Sequence, residues 1–360
     1  MCERYAEAPA APAAPASVTI DPAALGYAAG GKKVSTRRAF GEALLALCQQ
    51  HPRAVVIDGE VQGSTFAKCV ATAMPERFVE GFIAEQNMVG AAIGLEAAGK
   101  LAVVTSFACF LSRAYDFVRM AGYSKPKHLV IAGSHAGVSV GPDGPSQMGL
   151  EDIAYMRPIW GSIVLYPSDA VSTARLVACA AEAEGIVYVR TSRPDLPVLY
   201  ASDDTSFRVG GSKVVVEASA GGSPTEAGGE GKKQKTLRQG PLLVGAGVTL
   251  HECVAAHHAL RDEHGVATTV LDAYSVKPLD AAGIIAAATK CGGDVVVVED
   301  HAAYGGLGGA VCEALGEVRG TRVRRLAVTG PPRSGKGAEL MALHGIDAKA
   351  VVAATLDLMK

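Results

Sequence analysis

Three side chains between Ile83 and Met148 are of types that move protons or hold hydroxyl groups. Glu85 sits in Ile83-Ala84-Glu85-Gln86-Asn87-Met88, and His135 and Asp143 lie in a turn-rich stretch from Gly133 to Met148. Carboxyl groups in apolar surroundings can hold or donate a proton near neutrality. The same position equally suits a first-turn acid stabilised by the dipole of the helix that follows. Spacing alone leaves both readings of Glu85 open. Taken singly, His135 reads as a loop histidine, and Asp143 in Pro142-Asp143-Gly144-Pro145 as a turn residue. Arg37, Arg113 and Arg193 singly read as surface or ion-pair residues.

Such groups need a scaffold, and the apolar patterning supplies one. Ser35 or Thr36 can cap a helix over Arg37–Gln50 that has Phe40, Ala43, Leu44 and Leu47 at helical spacing. Short apolar runs predict strands over 54–58, 77–83, 101–106, 129–133, 162–166 and 186–190. Helices are expected between them over 66–73, 86–98, 110–121 and 170–183, with a long loop from His135 to Met148. That alternation implies a parallel sheet with helices on both faces. Ligands of such sheets gather at the carboxyl ends of the strands. Ser64, Glu85, Phe107, His135 and Arg193 all follow a predicted strand, so five polar or aromatic groups fall at one sheet edge.

A stretch rich in Gly, Ser, Lys and Glu over 217–240 reads as a surface insertion or disordered loop. Beyond it, strands over 242–245, 267–272, 294–299 and 323–327 alternate with helices over 250–263, 281–289, 307–315 and 338–343. The expected fold class is α/β: two successive three-layer domains, the first with a parallel sheet over 34–210, the second smaller and mixed over 241–360. Residues 1–33, Ala/Pro-rich at the start, read as a disordered tail or linker.

A net charge of -2 and the lack of a basic block argue against nucleic-acid binding. No apolar run reaches the roughly 20 residues of a membrane span. Glu3, Arg4 and Glu7 ahead of the Ala/Pro run do not suit a secretory signal, so the cytoplasm is the expected location. The eight cysteines are scattered without a Cys-x-x-Cys pair, as in a reducing compartment, and no residues show metal-ligand spacing. Gly245-Ala246-Gly247 lacks the third glycine of a dinucleotide turn. The run Gly330-Pro331-Pro332-Arg333-Ser334-Gly335-Lys336-Gly337 mimics a phosphate loop, but has Gly where Ser or Thr must hold Mg²⁺. Its two prolines also remove N–H donors.

Taken in order, several motifs point further. They are Ile83-Ala84-Glu85-Gln86-Asn87-Met88, Gly133-Ser134-His135, Asp143-Gly144-Pro145-Ser146-Gln147-Met148, Arg190-Thr191-Ser192-Arg193-Pro194 and Pro332-Arg333-Ser334-Gly335-Lys336. Together they resemble transketolase, particularly its animal-type branch, from about Ser35 onward. The likeness covers that family's pyrimidine-binding and C-terminal domains. It implies that Glu85 bonds the aminopyrimidine ring of thiamine diphosphate, favouring the tautomer able to remove the thiazolium proton. It implies that Phe107, Phe110 and Arg113, with Gln147 nearby, form the pyrimidine pocket. His135 and Asp143 match groups that bond sugar hydroxyls, and Arg37, Ser64 and Arg193 match a sugar-phosphate clamp. Glu85 and His135 are the expected catalytic pair.

The resemblance does not extend to the family's N-terminal domain, which carries Gly-Asp-Gly, the Mg²⁺ ligands and the diphosphate contacts. Ile57-Asp58-Gly59-Glu60 lacks the first glycine and its partner Asn. The expectation is therefore half of a transketolase site, binding only the pyrimidine end of the cofactor. The chain would be one subunit of a split enzyme or a piece of a longer one, working as a homo- or hetero-oligomer on sugar phosphates. Two alternatives stay open: a beta-type subunit of a 2-oxo-acid dehydrogenase, and a non-catalytic protein that binds transketolase subunits.

Overall fold

The computed structural model describes residues 17–218 and 237–360, so most of the expected 217–240 insertion and the first sixteen residues lie outside the described residues. Two α/β sheets carry the rest. The first has seven strands in the order Ser275–Lys277, Ser162–Leu165, Gly185–Arg190, His128–Ser134, Leu101–Phe107, Ala54–Asp58, Phe78–Glu80. Leu101–Phe107 is buried along its whole length, as a strand covered on both faces must be. Its residues alternate between two cores. Val103 faces helices Thr36–Gln50 and Ala170–Glu182, whereas Ala102 and Val104 face helices Glu85–Ala97 and Tyr115–Ser124.

The second sheet has five strands: Arg322–Val328, Asp294–Ala302, Arg238–Gly245, Val266–Asp272 and Lys213–Val216. Helices Val248–His264 and Ala348–Leu358 cover one face, and Ala281–Lys290 and Leu307–Leu315 the other. Ile284 and Val311 under the second sheet belong to the same apolar cluster as Met88 and Val118 under the first. The two domains thus share one core.

The expected architecture needs correction at its margins. The first sheet is not wholly parallel: Ser275–Lys277 comes from beyond the insertion and pairs antiparallel with Ser162–Leu165. Conversely, Lys213–Val216 pairs antiparallel with Val266–Asp272 in the second sheet. The strand expected over 77–83 shrinks to Phe78–Glu80, because Phe82 at φ +53° turns the chain away. The helix expected over 66–73 begins only at Lys68, past Phe66 at φ +63°, and the stretch before it holds a short helix, Gln62–Thr65. The helix expected over 110–121 is a 3-10 turn, Phe110–Ala114, followed by Tyr115–Ser124. Nor is all of 1–33 a tail. Val18, Ile20 and Tyr27 are buried against helices Thr36–Gln50 and Ala170–Glu182, and the Val18 N–H donates to Glu182 at 2.8 Å. Val34–Ser35 then pairs antiparallel with Asp195–Leu196, which draws Arg37 towards Arg193.

Candidate functional site

The carboxyl ends of the first sheet's strands converge on the loop from His135 to Met148. Past Phe78–Glu80 the chain reverses, with the Gly81 N–H donating to the Asp58 carbonyl, and the helix Glu85–Ala97 begins. Glu85 occupies its first turn, where the dipole favours a carboxylate. Yet the side chain is only 2% exposed, beside fully buried Met88, and its Oε2 accepts no hydrogen bond. Arg113 Nη1 approaches to 3.3 Å, close enough for an ion pair but not aligned as a hydrogen bond. The Arg113 side chain is itself 59% exposed, so this partner can swing aside. A dipole-stabilised acid needs no such burial, and an orphaned buried oxygen costs about 1–3 kcal/mol. Both features suit a group that receives a ligand.

Phe110 shares the 3-10 turn with Arg113, and its ring stacks on Phe107 at 5.1 Å between centroids and 8° between planes. His135 stacks on Phe107 at 3.8 Å and 14°. Its backbone holds φ +55°, a left-handed conformation uncommon outside glycine, at the point where strand His128–Ser134 gives way to the loop. Nδ1 lies 2.9 Å from the Ser134 hydroxyl, and Nε2 faces Asp143 Oδ2 at 3.9 Å. Burial, then the nearby Arg37 and Arg193 guanidinium groups, push the imidazole pKa down to about 3. His135 is therefore neutral at physiological pH, with one nitrogen to donate and one to accept.

Asp143 bridges to the arginines: its Oδ2 is 3.5 Å from Arg193 Nε. Arg193 Nη1 donates to the Val140 carbonyl at 3.0 Å, and Arg37 Nη1 to the Ser64 carbonyl at 2.9 Å. Arg37 also lies over the Phe66 ring and keeps a buried Nε without a partner. Burial and then the Arg193 charge lower its pKa. Neighbouring guanidinium groups of this kind suit bidentate contact with an oxyanion. Gln147 sits on the turn Pro145–Gln147, half-buried; the adjacent Ser146 carbonyl accepts from Cys109 Sγ at 3.5 Å, next to Phe110. The expected residues thus form two linked groups: Glu85 with Arg113, and Phe107, His135, Asp143 and Arg193 in succession with Arg37 and Ser64 behind.

Several residues that fix this arrangement were not singled out from sequence. Asp58, fully buried, accepts from Thr65 and Thr105 hydroxyls at 2.7 and 2.6 Å and from the Val61 N–H, anchoring the turn that carries Ser64. Asp300, from the second sheet, accepts the N–H groups of Val138 and Ser139 at 2.7 and 3.1 Å. That contact requires Gly137, at φ +85°: a Cβ there would lie 2.1 Å from Asp300 Oδ2. Arg190 and Asp152 form a buried bidentate pair, and Arg190 Nη2 also donates to the carbonyls of Gly149 and Asp300. The phosphate-loop mimic packs here as well. Gly335 N–H donates to the Gly141 carbonyl, and Ser334 Oγ occupies the space a Cβ on Gly144 would need. The one available signal was a charged residue at the end of an otherwise apolar strand, as in Val295-Val296-Val297-Val298-Glu299-Asp300.

Residues 32–198 match the family described as transketolase, pyrimidine binding domain, and residues 230–351 match the transketolase C-terminal domain. Transketolase-like protein 2 of Mus musculus is 43% identical over 328 residues, covering 91% of this chain and 49% of that protein. Transketolase of Mus musculus is 41% identical over 330 residues, covering 91% and 50%. The chain spans about half the length of the curated relatives it matches. Among solved structures, a split gene transketolase described as an inactive beta4 tetramer superposes with a TM-score of 0.76 at 32% identity, over 91% of this chain and 98% of that one. Transketolase from Leishmania mexicana has the same fold, with a TM-score of 0.72 at 20% identity over 92% and 46%.

Proposed function

The chain belongs to the transketolase family, and on that premise we propose that it is the pyrimidine-binding component of a thiamine-diphosphate-dependent ketol transferase. The observation that carries this reading is the buried Glu85 carboxylate with its orphaned Oε2, beside the stacked Phe107 and Phe110. Glu85 Oε2 would accept the hydrogen bond it lacks from a protonated ring nitrogen of the cofactor, with the exposed Arg113 side chain free to yield. Phe107 is already covered by His135, so the half-buried Phe110 offers the aromatic face for a flat ring. When bound, the cofactor supplies the nucleophilic carbon that takes up a two-carbon unit.

The other residues hold the sugar. His135, neutral, exchanges a hydrogen bond with a substrate hydroxyl without changing its charge. Asp143 accepts from a neighbouring hydroxyl. Arg37 and Arg193 take the terminal phosphate, with Ser64 at its side. Diphosphate and Mg²⁺ fall to a second domain or subunit, in keeping with the half-length match to the curated relatives and with the split gene relative.

The test is reconstitution. The purified chain, cofactor, Mg²⁺, xylulose 5-phosphate and ribose 5-phosphate should give no robust turnover until a polypeptide with the diphosphate-binding domain is added. Glu85→Gln should abolish turnover of the mixture. Robust turnover by the chain alone refutes the half-site reading; a mixture that stays inactive counts against the transferase reading altogether.

A further inference from the structure

The opposite edge of the first sheet holds a second concentration of charge. Where the strands Ala54–Asp58, Leu101–Phe107 and His128–Ser134 begin, a cavity of about 490 Å³ opens. That volume lies in the range of small-molecule sites, roughly 300–1,000 Å³. Arg53, Lys100, Lys125 and Lys127 line it with His51 and His128, and Glu96 is the one carboxylate in the wall. The seven residues of Leu101–Phe107, at about 3.3 Å each, set it roughly 20 Å from the site around Phe107.

Helix ends account for part of this charge. Thr36–Gln50, Glu85–Ala97 and Tyr115–Ser124 all finish here, each presenting about half a negative charge. With Glu96 they offset about 2.5 of the four positive charges, which leaves an excess of about 1.5. None of the four cations forms an ion pair among the described residues. Glu96 is turned instead to the backbone N–H of Lys127, at 2.7 Å.

Two partly or fully buried groups stand in the same wall. His51 is only 6% exposed, and its Nδ1 has no hydrogen-bond partner; the buried Nε of Arg53 lacks one as well. Burial and the charge of Arg53 lower the His51 pKa, so the ring in the cavity wall is neutral. Four cations around one cavity without a carboxylate partner are stabilised by a multiply charged oxyanion.

We propose that this cavity binds a small molecule through its phosphate groups, at a site separate from the Arg37–Arg193 pair. Calorimetric titration of the chain at low salt with inorganic pyrophosphate, and separately with adenosine 5′-monophosphate, tests it. Tighter binding of the nucleotide marks a phosphate ester as the ligand, and tighter binding of pyrophosphate marks the free anion. In both cases Lys100→Glu/Lys127→Glu should weaken binding roughly tenfold or more, while Arg193→Ala should leave it in place. Ring ¹⁵N resonances of His51 and His128 in the unaltered chain give a second readout that needs no variant. Resonances that both stay fixed through the titration, or binding lost only in Arg193→Ala, overturn the proposal.

Discussion

Replacing Gly137 by Ala tests whether the second domain holds the site loop in place. Gly137 has φ +85° and ψ 172°, a region that side chains other than glycine's enter at about 1–3 kcal/mol. The new methyl would also stand 2.1 Å from Asp300 Oδ2. The carboxylate must then retreat from the Val138 and Ser139 N–H groups, and hydrogen bonds to charged acceptors are worth about 1.5–3 kcal/mol each. Holding the loop as it is would therefore cost about 4–9 kcal/mol, close to the whole stability of a domain. Opening the loop is cheaper, so the fold should persist while the loop lets go. Hydrogen exchange at the Val138 and Ser139 amides should accelerate by roughly a thousandfold or more, since each 1.4 kcal/mol is tenfold. Amides deeper in the first sheet, such as that of Val103, should change far less. If the two loop amides exchange within threefold of their original rate, the Asp300 anchor is not what orders the loop.

Asp152→Ala would strand Arg190 in the core and should cost about 3–5 kcal/mol in denaturant unfolding; a loss below 1 kcal/mol would contradict the assigned pairing. Burial raises the Glu299 pKa to about 7, above its unfolded value, so the stability this carboxyl lends is present below pH 4.5 and lost as pH rises through 7. Glu299→Gln should therefore gain on the unaltered chain in Tm between pH 4.5 and 7, with a flat difference above; a gap that does not vary with pH refutes this. His135 has the opposite sign: its pKa of about 3 lies below the unfolded 6.5, so falling pH costs stability through that window. Tm of the unaltered chain should fall more steeply than that of His135→Gln from pH 6.5 downward, and parallel curves would show that the ring protonates freely. In the reconstituted enzyme, Arg193→Ala should raise KM for sugar phosphates roughly ten- to a hundredfold with kcat little altered; an unchanged KM removes Arg193 from the phosphate clamp.

Much of the first domain was legible because burial on both faces writes a strand as an uninterrupted apolar run, as in Leu101-Ala102-Val103-Val104. Phe107, His135 and Arg193 stood out because each lies at or just past such a run, whereas the strand before Glu85, Phe78–Glu80, is short and interrupted by a charge. What the sequence concealed is pairing across long separations. Nothing local links Asp300 to Val138, 162 residues away, or Arg190 to Asp152, 38 away. Val18, Ile20 and Tyr27 were missed because they fill gaps between helices without forming an element whose period could be read. Ser275–Lys277 was missed because three residues carry no alternation; only pairing with Ser162–Leu165 makes them a strand. Tyr155 shows a milder case: its hydroxyl donates to the Ala108 carbonyl at 2.8 Å and ties the chain just before the site's aromatic turn to the short helix Asp152–Met156, a contact between residues 47 apart.

The exchange of edge strands makes the two sheets hostages to each other. Lys277 not only adds its strand to the first sheet but also donates through Nζ to the carbonyls of Arg157 and Ile159, while Lys213–Val216 completes the second sheet from the opposite side. A cut anywhere between Val216 and Ser275 would leave each fragment without its own border, with unpaired backbone along a strand that had been covered. Heat or denaturant should accordingly dissolve both sheets in a single step. A recombination or truncation that keeps one domain whole must therefore carry across the few residues the other has lent it.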